Sequence, residues 1–310
     1  MRCTGLSLFC IVSCLRSSMK KILFIVNPVS GGKSKKPYLE AIDRFLDKEV
    51  YSYRIAFTEY SGHASELARD CEEDTVVAVG GDGTVSEVAR GLIGTGKTFG
   101  IIPCGSGDGL ALHLGIGRNP RKAIEVLNSQ CVRMMDYGKV DGKPFFCTVG
   151  VGFDAIVAER FAGSSSRGLA TYITTALRTW MGFKPDTYSV TVDGEVHTCP
   201  ASMITVGNVN QWGNQARITS LASVTDGMLD VAIVHPFHTV EIPVLAVKLL
   251  CGKAHTSSRV TMLRGKMIII ERSADGPAHC DGDPSVMGRR IDLETVPAAL
   301  PVLVPESRNI

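Results

Sequence analysis

Three glycine-rich loops fall in register along the first third of the chain, each behind an apolar β-like run and ahead of a helix-like stretch. They read Asn27-Pro28-Val29-Ser30-Gly31-Gly32, Gly80-Gly81-Asp82-Gly83-Thr84 and Pro103-Cys104-Gly105-Ser106-Gly107-Asp108-Gly109-Leu110-Ala111. No other feature restricts the fold as much. Strand candidates are Ile22–Val26, Tyr51–Phe57, Thr75–Val79 and Phe99–Ile102; Tyr38–Lys48, Ala64–Cys71, Val85–Leu92, Leu110–Leu114 and Arg121–Asn128 are patterned as helices. Valine- and isoleucine-rich strands alternating with helices predict a parallel sheet covered on both faces. Such sheets bind ligands beyond the carboxyl ends of their strands, where these loops fall. Backbone N–H groups at a loop and a helix N-terminus attract anions, so the pattern is that of a nucleotide-using enzyme.

Beyond Met134 the texture changes to short alternating segments. Tyr188–Val196 contains Asp193-Gly194, a type I′ hairpin signal. Met203–Val206, Leu229–Val234, Val260–Leu263 and Met267–Ile270 continue the pattern and predict an antiparallel sandwich or barrel. Two helices interrupt it, one carrying Leu169, Tyr172, Ile173, Ala176, Leu177 and Trp180, the other Val244, Val247 and Leu250. Ala298–Val304 reads as a final strand that returns to the first domain.

Bulk properties exclude several classes. A formal net charge of +2, without a basic stripe interleaved with aromatics, argues against nucleic acid as a partner. Ten cysteines without CxxC pairs or a Cys/His cluster read as small buried residues in a reducing compartment, not as a disulfide framework or zinc site. The apolar run Leu6–Leu15 is too short to span a bilayer and is followed by no clear small-residue cleavage site. Residues 1–18 are therefore expected to be a mis-assigned extension ahead of a working start at Met19.

Within the second loop, glycines let a polyphosphate approach the backbone, and Thr84 offers a hydroxyl at the start of a helix. Asp82 can orient Mg²⁺ through water or accept a proton from an attacking hydroxyl; an ordinary Asp-Gly turn is the alternative. The first loop adds Ser30, an amide at Asn27 and the lysines Lys33, Lys35 and Lys36, but the Walker A spacing cannot be written over it.

The order NPxSGG, GGDGT, PxGSGxxxA resembles the diacylglycerol kinase catalytic family, which includes bacterial lipid kinases and the sphingosine kinases. The resemblance extends over nearly all of Met19–Pro305. Gly150-Val151-Gly152-Phe153-Asp154, Thr205-Val206-Gly207-Asn208, Ala222–Asp230 and Asp281-Gly282-Asp283-Pro284 are similar to later signatures of the family. It implies ATP-dependent transfer of the γ-phosphate to a lipid hydroxyl, with Mg²⁺. By matched motif, Asn27, Ser30, Gly31, Thr58, Gly81, Asp82, Gly83, Thr84, Glu87 and Ser106 would line the nucleotide site. Asp283 stands where the family has a glutamate proposed as general base, and Asp82 carries that role in the sphingosine kinase branch. Ser223, Asp226 and Met228 resemble a structural cation site of the bacterial branch; an Asp-Gly turn without metal is the other reading. Asp154 falls near the acidic residue that holds a sphingoid head group, and would equally serve as a helix N-cap. The helix Leu169–Trp180 either lines an acyl slot or closes the core.

Two departures stand out. Asp108-Gly109 replaces the Asn-Asp of bacterial diacylglycerol kinases, and Asp283 is one methylene shorter than glutamate. With Asp154, the first leans the substrate toward a sphingoid base over diacylglycerol. The expected division is residues 19–133 for nucleotide and 134–295 for lipid, with 296–310 rejoining the first part. A cytoplasmic enzyme is expected that meets its lipid at the membrane surface without a transmembrane segment, with a homodimer left open. The rivals are a soluble kinase of the NAD kinase and phosphofructokinase superfamily and an inactive nucleotide-binding regulator.

Overall fold

The computed structural model describes residues 19–32, 34–163 and 169–307; residues 1–18 and Lys33 lie outside them. The first part alternates strand and helix: β1 (Lys20–Val26), α1 (Lys36–Phe45), β2 (Tyr51–Phe57), α2 (His63–Asp70), β3 (Thr75–Gly80), α3 (Asp82–Leu92), β4 (Thr98–Pro103), α4 (Gly109–His113) and α5 (Pro120–Ser129). The strands run parallel in the order β2-β1-β3-β4. Helices on both faces bury Ile22 to Val26 completely, as continuous apolar strands require. The chain leaves β1 for β2 on one side and returns to β3 on the other. This reversal opens a crevice at the carboxyl ends of β1 and β3. Local chemistry sets the helix starts: before α5, the Asn119 carboxamide accepts from the N–H of Arg121 at 3.0 Å, with Pro120 in the first turn.

The chain continues as β5 (Val132–Val140), β6 (Lys143–Phe145), β7 (Thr148–Gly152), α6 (Phe153–Ala162), α7 (Leu169–Trp180), β8 (Asp186–Val192), β9 (Glu195–Ala201), β10 (Met203–Gly207) and β11 (Leu229–Val234). It closes with α8 (Ile242–Leu250), β12 (Val260–Gly265), β13 (Met267–Glu271), β14 (Gly276–Cys280), β15 (Asp283–Met287) and β16 (Arg290–Leu303). An antiparallel sheet of order β12-β11-β10-β7-β14-β15 packs Val151, Ile204 and Val231 against Val190, Ile268 and Ile291 of the facing sheet. The result is the α/β layer plus antiparallel sandwich that the patterning predicts. Asp193 and Gly194, with φ of 47° and 94°, form the β8–β9 turn with both central residues left-handed, as a type I′ turn demands.

Two local expectations are corrected. The last strand begins at Arg290, not Ala298; a bulge at Ala298 (φ 47°) kept its halves from reading as one run. Asp154 is not the N-cap of α6. Gly152 caps that helix at φ 92°, and Asp154 sits two residues further in, where its carboxylate turns to other partners.

Candidate active site

The three glycine loops meet at the carboxyl ends of β1, β3 and β4. The Ser30 hydroxyl accepts from the Gly81 N–H at 2.7 Å, and the Asn27 carboxamide donates to the Thr84 hydroxyl at 3.0 Å. Gly31 has a φ of 65°, and a Cβ there would lie 2.1 Å from the Cys104 carbonyl oxygen, so this crossing admits only glycine. Lys35 donates to the Ser30 carbonyl. Thr58 extends the ladder by donating its N–H to Val26 at 3.0 Å, and Glu87 of α3 accepts from the Gly62 N–H at 2.9 Å. The loop after β2 is thereby tied to the same corner. Beside Gly83 the space is open.

Asp82 organises the third loop. Its two carboxylate oxygens accept from the N–H groups of Asp108 at 2.8 Å and Gly109 at 2.7 Å. Burial and then the Asp108 charge push its carboxyl above the usual range, against the pull of those two bonds. Asp108 is itself buried, accepting from the Gly105 N–H and from the Arg118 guanidinium at 2.7 Å. Arg118 also donates to the carbonyls of Ser106 and Gly107 and to the Asn214 side chain, so one guanidinium pins the loop to the sandwich side. Gly109 packs where a Cβ would stand 3.4 Å from the Trp212 carbonyl. The Gln211 carbonyl and the Gly213 nitrogen stand 3.5 Å from the same point, so the 211–213 backbone lies directly against this glycine.

A cleft of about 240 Å³ opens between these loops and the sandwich. Asp82, Ser106 and Gly107 line one end; Asp154, His279 and Asp281 line the floor; Ala158, Phe161, Trp212 and Leu250 give it an apolar wall. Asp154 accepts from the Ala155 N–H and the Thr205 hydroxyl, both at 2.8 Å, and lies 3.2 Å from Nε2 of His279. Gly150 leaves room for this pair, since a Cβ there would fall 2.3 Å from both. Asp281 caps the start of β7, accepting from the N–H groups of Phe146, Cys147 and Thr148 and from the Ser86 hydroxyl at 2.9 Å. Burial raises its carboxyl. Asp283, at the start of β15 just beyond the cleft-lining Gly282, is exposed as a residue; burial of its carboxyl, then the Asp281 charge, raises it too.

Of the residues singled out from sequence, Asp82, Ser106 and Asp154 share the cleft. Hydrogen bonds draw Asn27, Ser30, Gly31, Gly81 and Thr84 together behind it, with Thr58 and Glu87 one loop further. Ser223, Asp226 and Met228 do not line it: Asp226 accepts from the Met228 N–H at 3.1 Å and pairs with Arg264 at 3.4 Å. Arg118, His279, Thr205 and the buried Asp136, which bonds the N–H groups of Gly227 and Ala298 at 2.6 Å each, were missed. Thr205 and Asp281 carried a signal, their places in the Thr205–Asn208 signature and the Asp-Gly-Asp hairpin. Among the described residues no three acidic, histidine or cysteine side chains form a metal cluster. Asp281 is already engaged by three backbone N–H groups and the Ser86 hydroxyl, and Asp82 by two N–H groups, so a hard cation here would be held chiefly by the phosphate oxygens and waters it arrives with. The α7 helix contributes no described side chain to the cleft; Trp180 stacks on Phe237 at 4.5 Å and edges onto Phe153.

Comparison with known proteins gives two adjoining matches. Residues 21–140 fit the family model described as diacylglycerol kinase catalytic domain, and residues 147–304 the one described as YegS C-terminal NAD kinase beta sandwich-like domain. A diacylglycerol kinase of Mycobacterium tuberculosis is 26% identical over 301 residues, covering 94% of this chain and 97% of its own. One of Bacillus subtilis is 24% identical over 273 residues, covering 86% and 90%. The crystal structure of a diacylglycerol kinase from Bacillus anthracis superposes with a TM-score of 0.73 at 20% identity, over 94% of this chain and 99% of the other, a likeness of fold alone.

Proposed function

We propose, for a chain that belongs to the lipid kinase family built on the diacylglycerol kinase catalytic domain, that it transfers the γ-phosphate of ATP to the hydroxyl of a long-chain lipid. The observation that carries this reading is the cleft that joins the glycine loops to an apolar wall. In the proposal, backbone N–H groups around Gly31, Gly81 and Gly83 hold the nucleotide phosphates, and Asn27, Ser30, Thr58, Thr84, Glu87 and Ser106 shape or line that pocket. Asp82 keeps the third loop in place and presents charge to the transferred group. Asp283 takes the proton of the lipid hydroxyl, a role its raised carboxyl suits because a base works best near the operating pH. Mg²⁺, when bound with the nucleotide, supplies neutralisation of phosphate charge. Asp281 fixes the hairpin that carries the base.

The Asp154 geometry bears on the lipid head group. Its carboxylate is buried, with the Ala155 N–H and the Thr205 hydroxyl already donating to it and the His279 ring beside it, so few of its acceptor positions are open to an incoming ammonium. We therefore place a neutral acceptor of the diacylglycerol type ahead of a sphingoid base, reversing the lean drawn from sequence. Purified protein incubated with γ-labelled ATP, diacylglycerol, a sphingoid base and NAD tests both levels. Label in diacylglycerol supports the reading, label in the sphingoid base alone overturns the head-group choice, and label in NAD overturns lipid phosphorylation.

A further inference from the structure

Helix α8 leaves one face uncovered. Leu245 and Leu249 pack inward on Met203, Ile218 and Ala232. The opposite face presents Val244 and Val247, each 60% exposed, and Leu250 at 57%, continued by Val240 at 83% just before the helix. These positions fall on one side of a 3.6-residue helix. The end of α7 lies alongside: Trp180 donates its indole N–H to Thr239 at 3.0 Å, and Met181 beyond it is 81% exposed. A contiguous apolar surface of this kind on a folded chain marks an interaction site.

Two observations identify the occupant. Leu250 belongs both to this face and to the wall of the cleft, so the apolar surface runs into the mouth of the substrate site. Around it the charge is mainly basic: no aspartate or glutamate occurs from residue 160 to 185 or from 242 to 270, Glu241 at the start of the helix is paired with Arg259 at 2.8 Å, and the exposed Arg178, Lys184 and Lys253 flank the patch. An apolar helix face with a basic surround lies in the plane of an anionic bilayer. Among the described residues no helix is long and apolar enough to cross one. We infer that the outer face of α8 docks the protein on an anionic lipid surface, with the cleft mouth at the level of the head groups. The inference rests on the lipid-kinase reading, and its test separates the two.

The experiment is co-sedimentation of the full chain with vesicles of phosphatidylcholine containing phosphatidylglycerol. Beside the parent run Val244→Glu/Val247→Glu and Lys184→Glu/Lys253→Glu, none of which alters a residue of the substrate cleft. The valine pair should weaken vesicle binding roughly tenfold or more, about 1.4 kcal/mol or greater. Turnover on a short-chain, water-soluble lipid and the melting temperature should stay at parental values. The lysine pair should weaken binding to the anionic vesicles and leave binding to pure phosphatidylcholine unchanged. Vesicle binding by the valine pair equal to the parent's overturns the proposal. So does a parental dimer that the valine pair splits while vesicle binding persists, since a second copy would then be the occupant. A parent that binds vesicles through α8 but phosphorylates no lipid overturns the kinase reading alone.

Discussion

Replacing Asp82 by asparagine tests the centre of the proposed chemistry, and the structure allows its effect to be worked out. The carboxylate holds the Asp108 and Gly109 N–H groups at 2.8 and 2.7 Å. An asparagine keeps one acceptor and turns an N–H toward the second donor. The loss of one charge-assisted bond costs roughly 1.5–3 kcal/mol, about ten- to a hundredfold if all of it loosens the loop. Removal of charge at the transferring group adds to this, and such terms cost on the order of 10²–10⁴ in rate. The fold should survive, because the substitution also removes a buried charge that repels Asp108. We expect turnover to fall by about 10²–10⁴ with the melting temperature nearly unchanged, and amide exchange at Asp108 and Gly109 to accelerate. Near-parental turnover with ATP and lipid both saturating would refute the assignment. If activity falls while the two amides stay protected, the clamp is wrong and charge alone carries the effect.

Other consequences are equally direct. Asp283→Ala should depress kcat far more than nucleotide affinity, and Asp283→Glu should match or exceed the parent; steady-state kinetics with varied ATP decides it. Since a base acts only when ionised and the Asp283 carboxyl is raised, kcat should climb with pH through that ionisation and level above it, and Asp283→Ala should lose the rising limb. Burial lifts the Asp230 carboxyl to about 6 against the pull of Arg264. The stability it contributes is full below the ordinary carboxylate range and lost as pH climbs through about 6, so pH-dependent melting of Asp230→Asn should be flatter there than the parent's. Gly31→Ala places a Cβ 2.1 Å from a carbonyl oxygen at a left-handed φ, and should destabilise by roughly 1–3 kcal/mol in urea titration.

The sheet was legible where its determinants are local. Runs such as Thr75–Val79 followed by glycines announce both strand and loop, and β3 and α3 lie where they indicate. Asp193-Gly194 carried its turn within two residues. The clamps were not legible because they join residues far apart in the chain: Arg118 to Asn214, Asp136 to Ala298, Asp154 to His279. Nothing beside Asp154 in sequence says that Thr205 and His279 will surround it, so its neighbours suggested a helix cap. β16 was half hidden for a similar reason, since its Val296/Leu300 irregularity makes sense only against β5.

That strand has a consequence for how the molecule is made. β16 lies between β4, which it meets in parallel, and β13, which it meets antiparallel, so it belongs to both halves at once. It is also the last strand among the described residues. During synthesis, β4 and β13 emerge from the ribosome with bare edges and stay so until residues 290–303 follow. Exposed edges of this kind invite pairing with other chains, and non-local strand pairing is slow. A nascent chain arrested before Arg290 should therefore be protease-sensitive in both halves and prone to aggregate, and release of the final strand should protect the two together.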